Sequence, residues 1–230
     1  PSYFRLMVNE LQSSSIKIPQ MMNWLFTGEE MSLKDSAIWL ELHPHHIFYN
    51  SYGPTEATVT CSKFKIDRNN INQFKTNIPI EKNSRACGFH IVDNNMNIVP
   101  HGIRGELCLE GPILADGHLN KPEETKKSFV LGKNNCFLYR TGDEVMSLPD
   151  GHIYYFGRLD NQVKIRGIRI ELEEIRIAIC SLNNVTDAKV IVHNKQNIPQ
   201  IFAFIIPKQF VSNKFIFCDK IKNELLSKIP

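Results

Sequence analysis

Hydrophobic and polar positions follow three successive patterns along this chain of 230 residues. Near the start, "YFRLMVNEL" reads as a helix and "MNWLF" as a short buried strand closed by the turn "TGEE". In "SLKDSAIWLEL" a serine precedes Leu33, Ala37 and Leu40 at helical spacing, and "HIFYN" is then a second short strand. Strands alternating with helices predict an α/β layer with parallel strands. From about Val59 the pattern changes. "VTCSKFKI", "CGFHIVD", "GELCLEG", "CFLYR" and "HIYYFGR" predict a β meander punctuated by Gly, Pro, Asn and Asp, with one helix at "KPEETKKSF", where Pro122 suits a first turn. After "GRLD" a third pattern begins. "NQVKIRGIRIE" alternates like a strand pair, and Leu172, Ile175, Ile179 and Leu182 share one helical face. "DAKVIVHN" and "IPQIFAFIIPK" are strands, and "FCDKIKNELLSKI" is a last amphipathic helix. The expected fold class is α/β: a partial parallel or mixed sheet layer with a β-rich subdomain over 1–160, then a small α+β lobe over 161–230. Asp160 and Asn161 read as linker residues.

Composition narrows the possible functions. A 42% hydrophobic chain of this length can bury a real core. The net charge of +3, from 27 basic and 24 acidic residues, gives no broad nucleic-acid footprint. No apolar run reaches the roughly 18–20 residues of a membrane span, and "PSYFRLMVNE" lacks the features of a signal peptide. The six cysteines are spread without a C-x-x-C pair, which argues against a zinc site or disulfide framework and for a cytoplasmic protein. "HPHH" (His43, His45, His46) has no matching ligand set close in sequence, so it is expected to be a surface loop. "KIRGIR", with Lys164, Arg166 and Arg169, is followed at once by Glu171, Glu173 and Glu174, and reads as a solvated face.

Candidate chemistry lies in three polar stretches. "NSYGPTEATVT" interrupts the strand pattern with a Gly53-Pro54 turn, hydroxyls at Ser51, Tyr52 and Thr55, and the carboxylate of Glu56. A loop at the end of a parallel strand faces the crevice where α/β proteins bind ligands. Its hydroxyls suit phosphate oxygens, its carboxylate suits Mg²⁺, and Tyr52 offers a flat face for a base. In "LYRTGDEV", Asp143 is expected to follow a Thr-Gly turn between strands and could accept hydrogen bonds from both ribose hydroxyls. In "GHIYYFGRLD", Arg158 is a fixed cation suited to ribose or phosphate, and Tyr155 stands nearby. Each stretch alone is equally consistent with a plain turn.

Taken in order, the stretches resemble the adenylation domains of nonribosomal peptide synthetases, within the adenylate-forming enzymes. "NSYGPTE" is similar to the N-x-Y-G-P-T-E loop of that family. "GELCLEGPILADGHLNKPEETKKSFV" resembles its G-E-L-x-x-x-G-x-x-x-A-x-G-Y-L segment, and "YRTGDEV" its Y-R-T-G-D-L. "GRLDNQVKIRGIRIELEEIR" resembles G-R-x-D-x-Q-V-K-I-R-G-x-R-I-E-L-G-E-I-E. His118, Asp116 and Glu173 depart from the usual Tyr, Arg and Gly, and "PIEKNS" stands where G-R-P-I normally runs.

The resemblance implies ATP-dependent activation of an amino acid as its adenylate, then transfer to a carrier-protein thiol, the phosphopantetheine of a peptidyl carrier protein or neighbouring synthetase domain. It implies catalytic roles for Thr55, on the phosphate, and Glu56, on Mg²⁺. ATP or AMP would be held by Gly28, Glu29, Glu30, Asn50, Ser51, Tyr52, Thr55, Asp143, Tyr155 and Arg158, with Tyr52 stacked on adenine and Tyr155 on its other face. Leu25, Thr27, Ser51, Val59 and Thr60 would line the side-chain pocket of an uncharged amino acid. Residues 1–160 would be the C-terminal part of the large subdomain, and 161–230 the start of a small mobile lobe that pivots at the hinge Asp160. The missing parts of the same domain are expected partners; neither nucleic acid nor membrane is. An acyl- or aryl-CoA ligase of the same superfamily and a non-catalytic nucleotide-binding or interaction fragment are the alternatives.

By the same resemblance, the catalytic lysine and the phosphate-binding loop fall outside these residues. Removing one electrostatic group aimed at reacting phosphates commonly costs roughly 10²–10³ in rate. Purified as it stands, the chain is therefore expected to show no family-like ATP–pyrophosphate exchange. Robust exchange would refute this.

Overall fold

In a computed structural model the described residues are 2–11, 18–80, 87–132, 135–160, 162–165, 167–195 and 198–228. Asn161, Arg166 and most of "PIEKNS", singled out above, lie outside them. The chain divides into two units, Pro1–Asp160 and Asn161–Pro230.

The first core is aromatic. Helix α1 (Ser2–Leu11) turns Phe4 and Val8 inward. Phe4 meets Phe26 of strand β1 (Asn23–Phe26) edge-on at 4.7 Å between ring centroids, and Trp39 of helix α2 (Leu33–Leu42) at 5.0 Å. Such tilted and edge-on contacts suit the ring quadrupoles. Helix α2 begins at Ser32 because that side chain accepts the Asp35 backbone N–H (3.2 Å), filling a bond the first turn cannot make for itself. Asp35 in turn accepts from Arg5 at 2.9 Å, joining the two helices. The buried face of α2 is Ser36, Trp39 and Leu40, shifted from the Leu33, Ala37 and Leu40 stripe that spacing suggests, because Ser36 satisfies its hydroxyl on the Ser32 carbonyl at 2.7 Å.

Strand β2 (Ile47–Tyr52) runs parallel to β1 and antiparallel to β3 (Ser62–Ile66), giving a mixed sheet in the order β1-β2-β3. The expected surface loop at "HPHH" is corrected here. His45 is exposed, but His46 is fully buried between α2 and β2. Its Nδ1 accepts from the indole N–H groups of both Trp24 and Trp39, each at 3.0 Å, and its Nε2 donates to the Pro19 carbonyl at 2.9 Å. The cause is the pair of tryptophans. A buried indole N–H needs an acceptor, and His46 serves two of them at once.

The second sheet is antiparallel, β4 (Gly88–Val92), β5 (Arg104–Glu110), β7 (Phe137–Ser147) and β6 (Phe129–Leu131), with β8 (Ile153–Arg158) also on β7. Helix α3 (Pro122–Ser128) precedes β6 with Pro122 in its first turn. Leu107, Leu109, Tyr139, Val145 and Ile153 form its core. Along one edge, β6 pairs with residues 137–139 of β7 and β8 with residues 143–147. The expected turn between strands at "TGD" is thus corrected: Thr141-Gly142-Asp143 lies inside one strand of 11 residues. The strand survives as a bulge, three residues of β7 facing one of β5 between the Glu106–Glu144 and Cys108–Arg140 pairs, with Gly142 at φ +71°.

In the second unit, β9 (Gln162–Ile165) and β10 (Ile168–Glu171) form an antiparallel pair. Helix α4 (Leu172–Cys180), the antiparallel pair β11 (Val185–Lys195) and β12 (Ile198–Pro207), and helix α5 (Lys214–Leu225) enclose Ile179, Leu182, Val185, Ala188, Val190 and Ile221. Leu172 and Ile175 pack on this core from the same face of α4. Among the described residues no helix is long and apolar enough to cross a membrane.

Replacing His46 with Ala would orphan two indole N–H groups. About 1–3 kcal/mol is expected for each buried unmet donor, read as a lower urea midpoint than wild type. An unchanged midpoint would refute the double-acceptor role.

Candidate nucleotide site

Strand β2 ends at Tyr52 and the chain doubles back immediately. Gly53 is required by space: a Cβ there would lie 2.6 Å from the Val59 carbonyl oxygen and 2.8 Å from the Cys61 nitrogen. Thr55–Ala57 make one turn of 3₁₀ helix, and the Ala57 and Val59 amides both donate to the Pro54 carbonyl at 3.1 Å. Thr58 and Val59 then adopt left-handed conformations (φ +59° and +66°). That region is uncommon for a non-glycine residue and an outlier for a β-branched one, so the surrounding bonds must hold it. They do so from both ends. Cys61 N donates to the Tyr52 carbonyl at 2.9 Å, Ala115 N to the Glu56 carbonyl at 2.8 Å, and Thr58 Oγ1 to the Ile113 carbonyl at 2.7 Å.

This fixes the loop residues singled out from the sequence. Thr55 is exposed and Glu56 half-buried, while Ala57 after them is fully buried as the plug. Asn50 is buried and donates to the Pro79 carbonyl at 3.0 Å. Ser51 is buried, with its oxygen 3.2 Å from Thr60 Oγ1 and 3.1 Å from the Ser62 carbonyl oxygen. Of the other pocket candidates, Leu25, Thr27 and Val59 are exposed. Gly28 takes φ +86°, Glu29 is half-buried and Glu30 is exposed.

The second half of the site is a buried carboxylate. Asp143, 3% exposed, accepts from the Tyr52 hydroxyl on Oδ2 (2.5 Å) and from Arg158 Nη1 on Oδ1 (2.9 Å). Arg158 grips Asp160 with its other edge, Nε to Oδ1 at 3.0 Å and Nη2 to Oδ2 at 2.5 Å. Burial alone would loosen the Arg158 proton, but Asp160 and Asp143 outweigh it and hold the guanidinium charged. The Tyr52 phenol is pushed well up by burial and by the Asp143 charge, so it stays a donor. Tyr155, half-buried, is raised by burial and then by Asp143, with Glu30 adding to the effect. Tyr52 has its ring in the core, edge-on to Phe89 at 6.3 Å. Tyr52, Asp143, Arg158 and Asp160 are thus linked directly, and Glu30 lies near enough to act on Tyr155.

Three supporting groups lie within the quoted segments, but the sequence alone assigns them no role. Thr141 donates to the Leu107 carbonyl at 2.7 Å and accepts the Asp143 amide at 3.0 Å. Glu106 takes two bonds from Arg140, at 3.0 and 2.6 Å, and accepts the Gly142 amide at 3.1 Å. Their partners lie 34–36 residues away along the chain for Leu107 and Glu106, beyond any motif window.

Gly142 carries a second steric demand. A Cβ there would lie 2.7 Å from Arg158 Nη2 and 2.9 Å from Asp160 Oδ2. Gly142→Ala is expected to destabilise by more than the roughly 1–2 kcal/mol of left-handed strain. Gly151→Ala is the control, since Gly151 has φ +89° and nothing within 4 Å of the added carbon. Equal losses in chemical denaturation would show that the Arg158–Asp160 fork is not held against Gly142.

Residues 1–119 match the family model described as AMP-binding enzyme. The chain is 35% identical over its whole length to bacitracin synthase 3 of Bacillus licheniformis, of which it spans 4%. It is 32% identical, again over its whole length, to a D-alanine--D-alanyl carrier protein ligase of Listeria monocytogenes, of which it spans 45%. A solved structure of the Vibrio cholerae adenylation domain AlmE in complex with glycyl-adenosine-5'-phosphate matches with a TM-score of 0.79 at 23% identity, over 97% of this chain and 43% of that one. The chain therefore spans less than half the length of each of these relatives. With a matching family model over more than half its residues and whole-length relatives above 30% identity, the chain belongs to the AMP-binding enzyme family.

Proposed function

We propose that this chain contributes the ribose- and magnesium-binding part of an amino-acid-activating adenylation domain, which forms an aminoacyl-adenylate from ATP and passes the acyl group to the phosphopantetheine thiol of a carrier protein. The observation that carries this reading is Asp143. A buried carboxylate anchored by a tyrosine hydroxyl and an arginine is held rigidly enough to receive a vicinal diol, each oxygen accepting one further hydrogen bond from a hydroxyl. The relatives support the chemistry: one is a carrier-protein ligase, and another was solved with an aminoacyl nucleotide.

In this reading Asp143 accepts the ribose hydroxyls. Arg158 supports them, and Tyr52 keeps Asp143 aimed. Tyr155 flanks the adenine, with Gly28, Glu29 and Glu30 along its edge and Asn50 beside it. Thr55 donates to the α-phosphate. Leu25, Thr27, Ser51, Val59 and Thr60 face the amino-acid side chain. Asp160 is the pivot at which the second unit reorients between the two half-reactions.

The donor set fits Mg²⁺. That ion commonly takes one or two carboxylates together with phosphate oxygens, and the 3₁₀ turn supplies Glu56 beside the Thr55 hydroxyl. Among the described residues no cluster of three or more His, Cys, Asp or Glu forms a self-sufficient metal site, which suits an ion that arrives with nucleotide. When bound, it would neutralise phosphate charge as pyrophosphate leaves.

Calorimetric titration with AMP tests the assignment. A hydrogen bond to a charged group is worth about 1.5–3 kcal/mol, so Asp143→Asn should weaken AMP roughly 10–100-fold. Asp116→Asn, at an exposed position, should leave affinity unchanged, and an unfolding curve checks that Asp143→Asn is folded. Equal AMP affinity in wild type and a folded Asp143→Asn would overturn the reading.

A further inference from the structure

Outside the loop between β2 and β3, the described residues other than glycine with a left-handed backbone are Asn120 (φ +57°), Asn135 (φ +58°) and Met96 (φ +61°). Asparagine suits that region because its short polar side chain bonds locally. The loop departs from this habit with Thr58 and Val59 in succession, at φ +59° and +66°. A branched Cβ is the poorest fit for such a backbone. Backbone preference therefore does not account for the threonine, and its hydroxyl is the group that does.

That hydroxyl helps to join the loop to residues 111–115. Thr58 Oγ1 donates to the Ile113 carbonyl at 2.7 Å, and Ala115 N donates to the Glu56 carbonyl at 2.8 Å. The two bonds run like rungs, Thr58 opposite Ile113 and Glu56 opposite Ala115. Ile113 and Leu114 pack on the core cluster that holds Tyr52 and Ala57, so the segment is an anchored support. Within the loop, Thr58 N donates to the Thr55 carbonyl at 3.2 Å. Thr58 thus grips the turn through its amide and the support through its hydroxyl. Its side chain is exposed, so the bond does not exist to satisfy a buried group.

We propose that Thr58 is a positioning residue for magnesium binding: its hydroxyl holds the 55–57 turn against the 111–115 segment, so that Thr55 and Glu56 meet metal and phosphate together. The proposal rests on the nucleotide reading above and names the residue on which the metal half of that site depends. Mg²⁺ tolerates little displacement of its ligands, because it demands near-octahedral geometry at about 2.0–2.1 Å. A turn released from Ile113 relaxes out of its left-handed strain and carries the Glu56 carboxylate with it. The ribose half is insulated from that movement, since Asp143 on β7 and Arg158 on β8 are held by their own bond. Loss of the hydroxyl therefore spares AMP and removes the benefit of the metal.

The test compares this chain as wild type, Thr58→Ser, Thr58→Val and Thr58→Gly. Serine keeps the hydroxyl, valine removes it but keeps the branched Cβ, and glycine removes both it and the strain. Each form is titrated calorimetrically with AMP in EDTA, then with ATP in EDTA and in magnesium chloride. Urea unfolding of the same samples reports stability. Wild type and Thr58→Ser are expected to bind ATP about tenfold more tightly with magnesium than without. Thr58→Val and Thr58→Gly should both lose most of that gain at unchanged AMP affinity, although Thr58→Gly unfolds at the higher urea concentration of the two. A gain that follows stability instead, lost in Thr58→Val and kept in Thr58→Gly, would show a merely structural bond and overturn the proposal. A full gain in both would overturn it as well. Wild type that binds AMP but gains nothing from magnesium would overturn it and leave the Asp143 assignment standing. Wild type without AMP affinity would bring down the nucleotide reading, and this role with it.

Discussion

The Asp143 carboxylate is the constraint around which the first unit is arranged. A carboxyl group this deeply buried is tolerable only if it is paired and hydrogen-bonded. Arg158 from β8 and Tyr52 from β2 meet those needs, so two sheets are tied at a single side chain. Arg158 is itself over-supplied with acceptors, since Asp160 takes its remaining edge. Removing either partner would leave a charge in the interior rather than simply delete a contact. This explains why so much nearby backbone is shaped to accommodate it.

That shaping is visible in β7. The strand exchanges one neighbour for another along the same edge, and the bulge that carries Asp143 lies where the second pairing begins. A regular strand would place successive side chains on opposite faces at fixed spacing. The bulge breaks that rule once, and the Arg140–Glu106 pair and the Thr141 hydroxyl hold it open. The opposing loop does the same by a different means, with consecutive left-handed residues locked by amides at each end.

Much of this fold was legible because strands and helices here announce themselves by period. The parallel β1–β2 pair, the β meander and the amphipathic α4 follow from apolar spacing. The places where that reading went astray share one physical cause. His46 looked like a loop histidine because its partners Trp24 and Trp39 are separated from it by 22 and 7 residues. Thr141-Gly142-Asp143 looked like a turn because a bulge uses the same residue types as a turn, and only cross-strand pairing distinguishes them. At the candidate site, motif order singled out Asp143, Arg158 and the loop from Asn50 to Thr60. The motifs contain Glu106 and Arg140 but give neither a role, because their ion pair forms only once distant strands have met.

The Tyr52–Asp143 bond joins residues 91 positions apart. Closing so long a segment carries a large loop entropy that must be met before the contact returns any favourable energy, and contacts of long sequence separation are the slow ones in folding. The three-stranded sheet and its helices draw on partners within the first eighty or so residues, whereas this bond also requires the later meander to be in place. In kinetic terms the site is assembled late. Partly folded chains with well-formed secondary structure would still lack it, so the Tyr52–Asp143–Arg158 arrangement is a property of the finished unit and of no fragment of it.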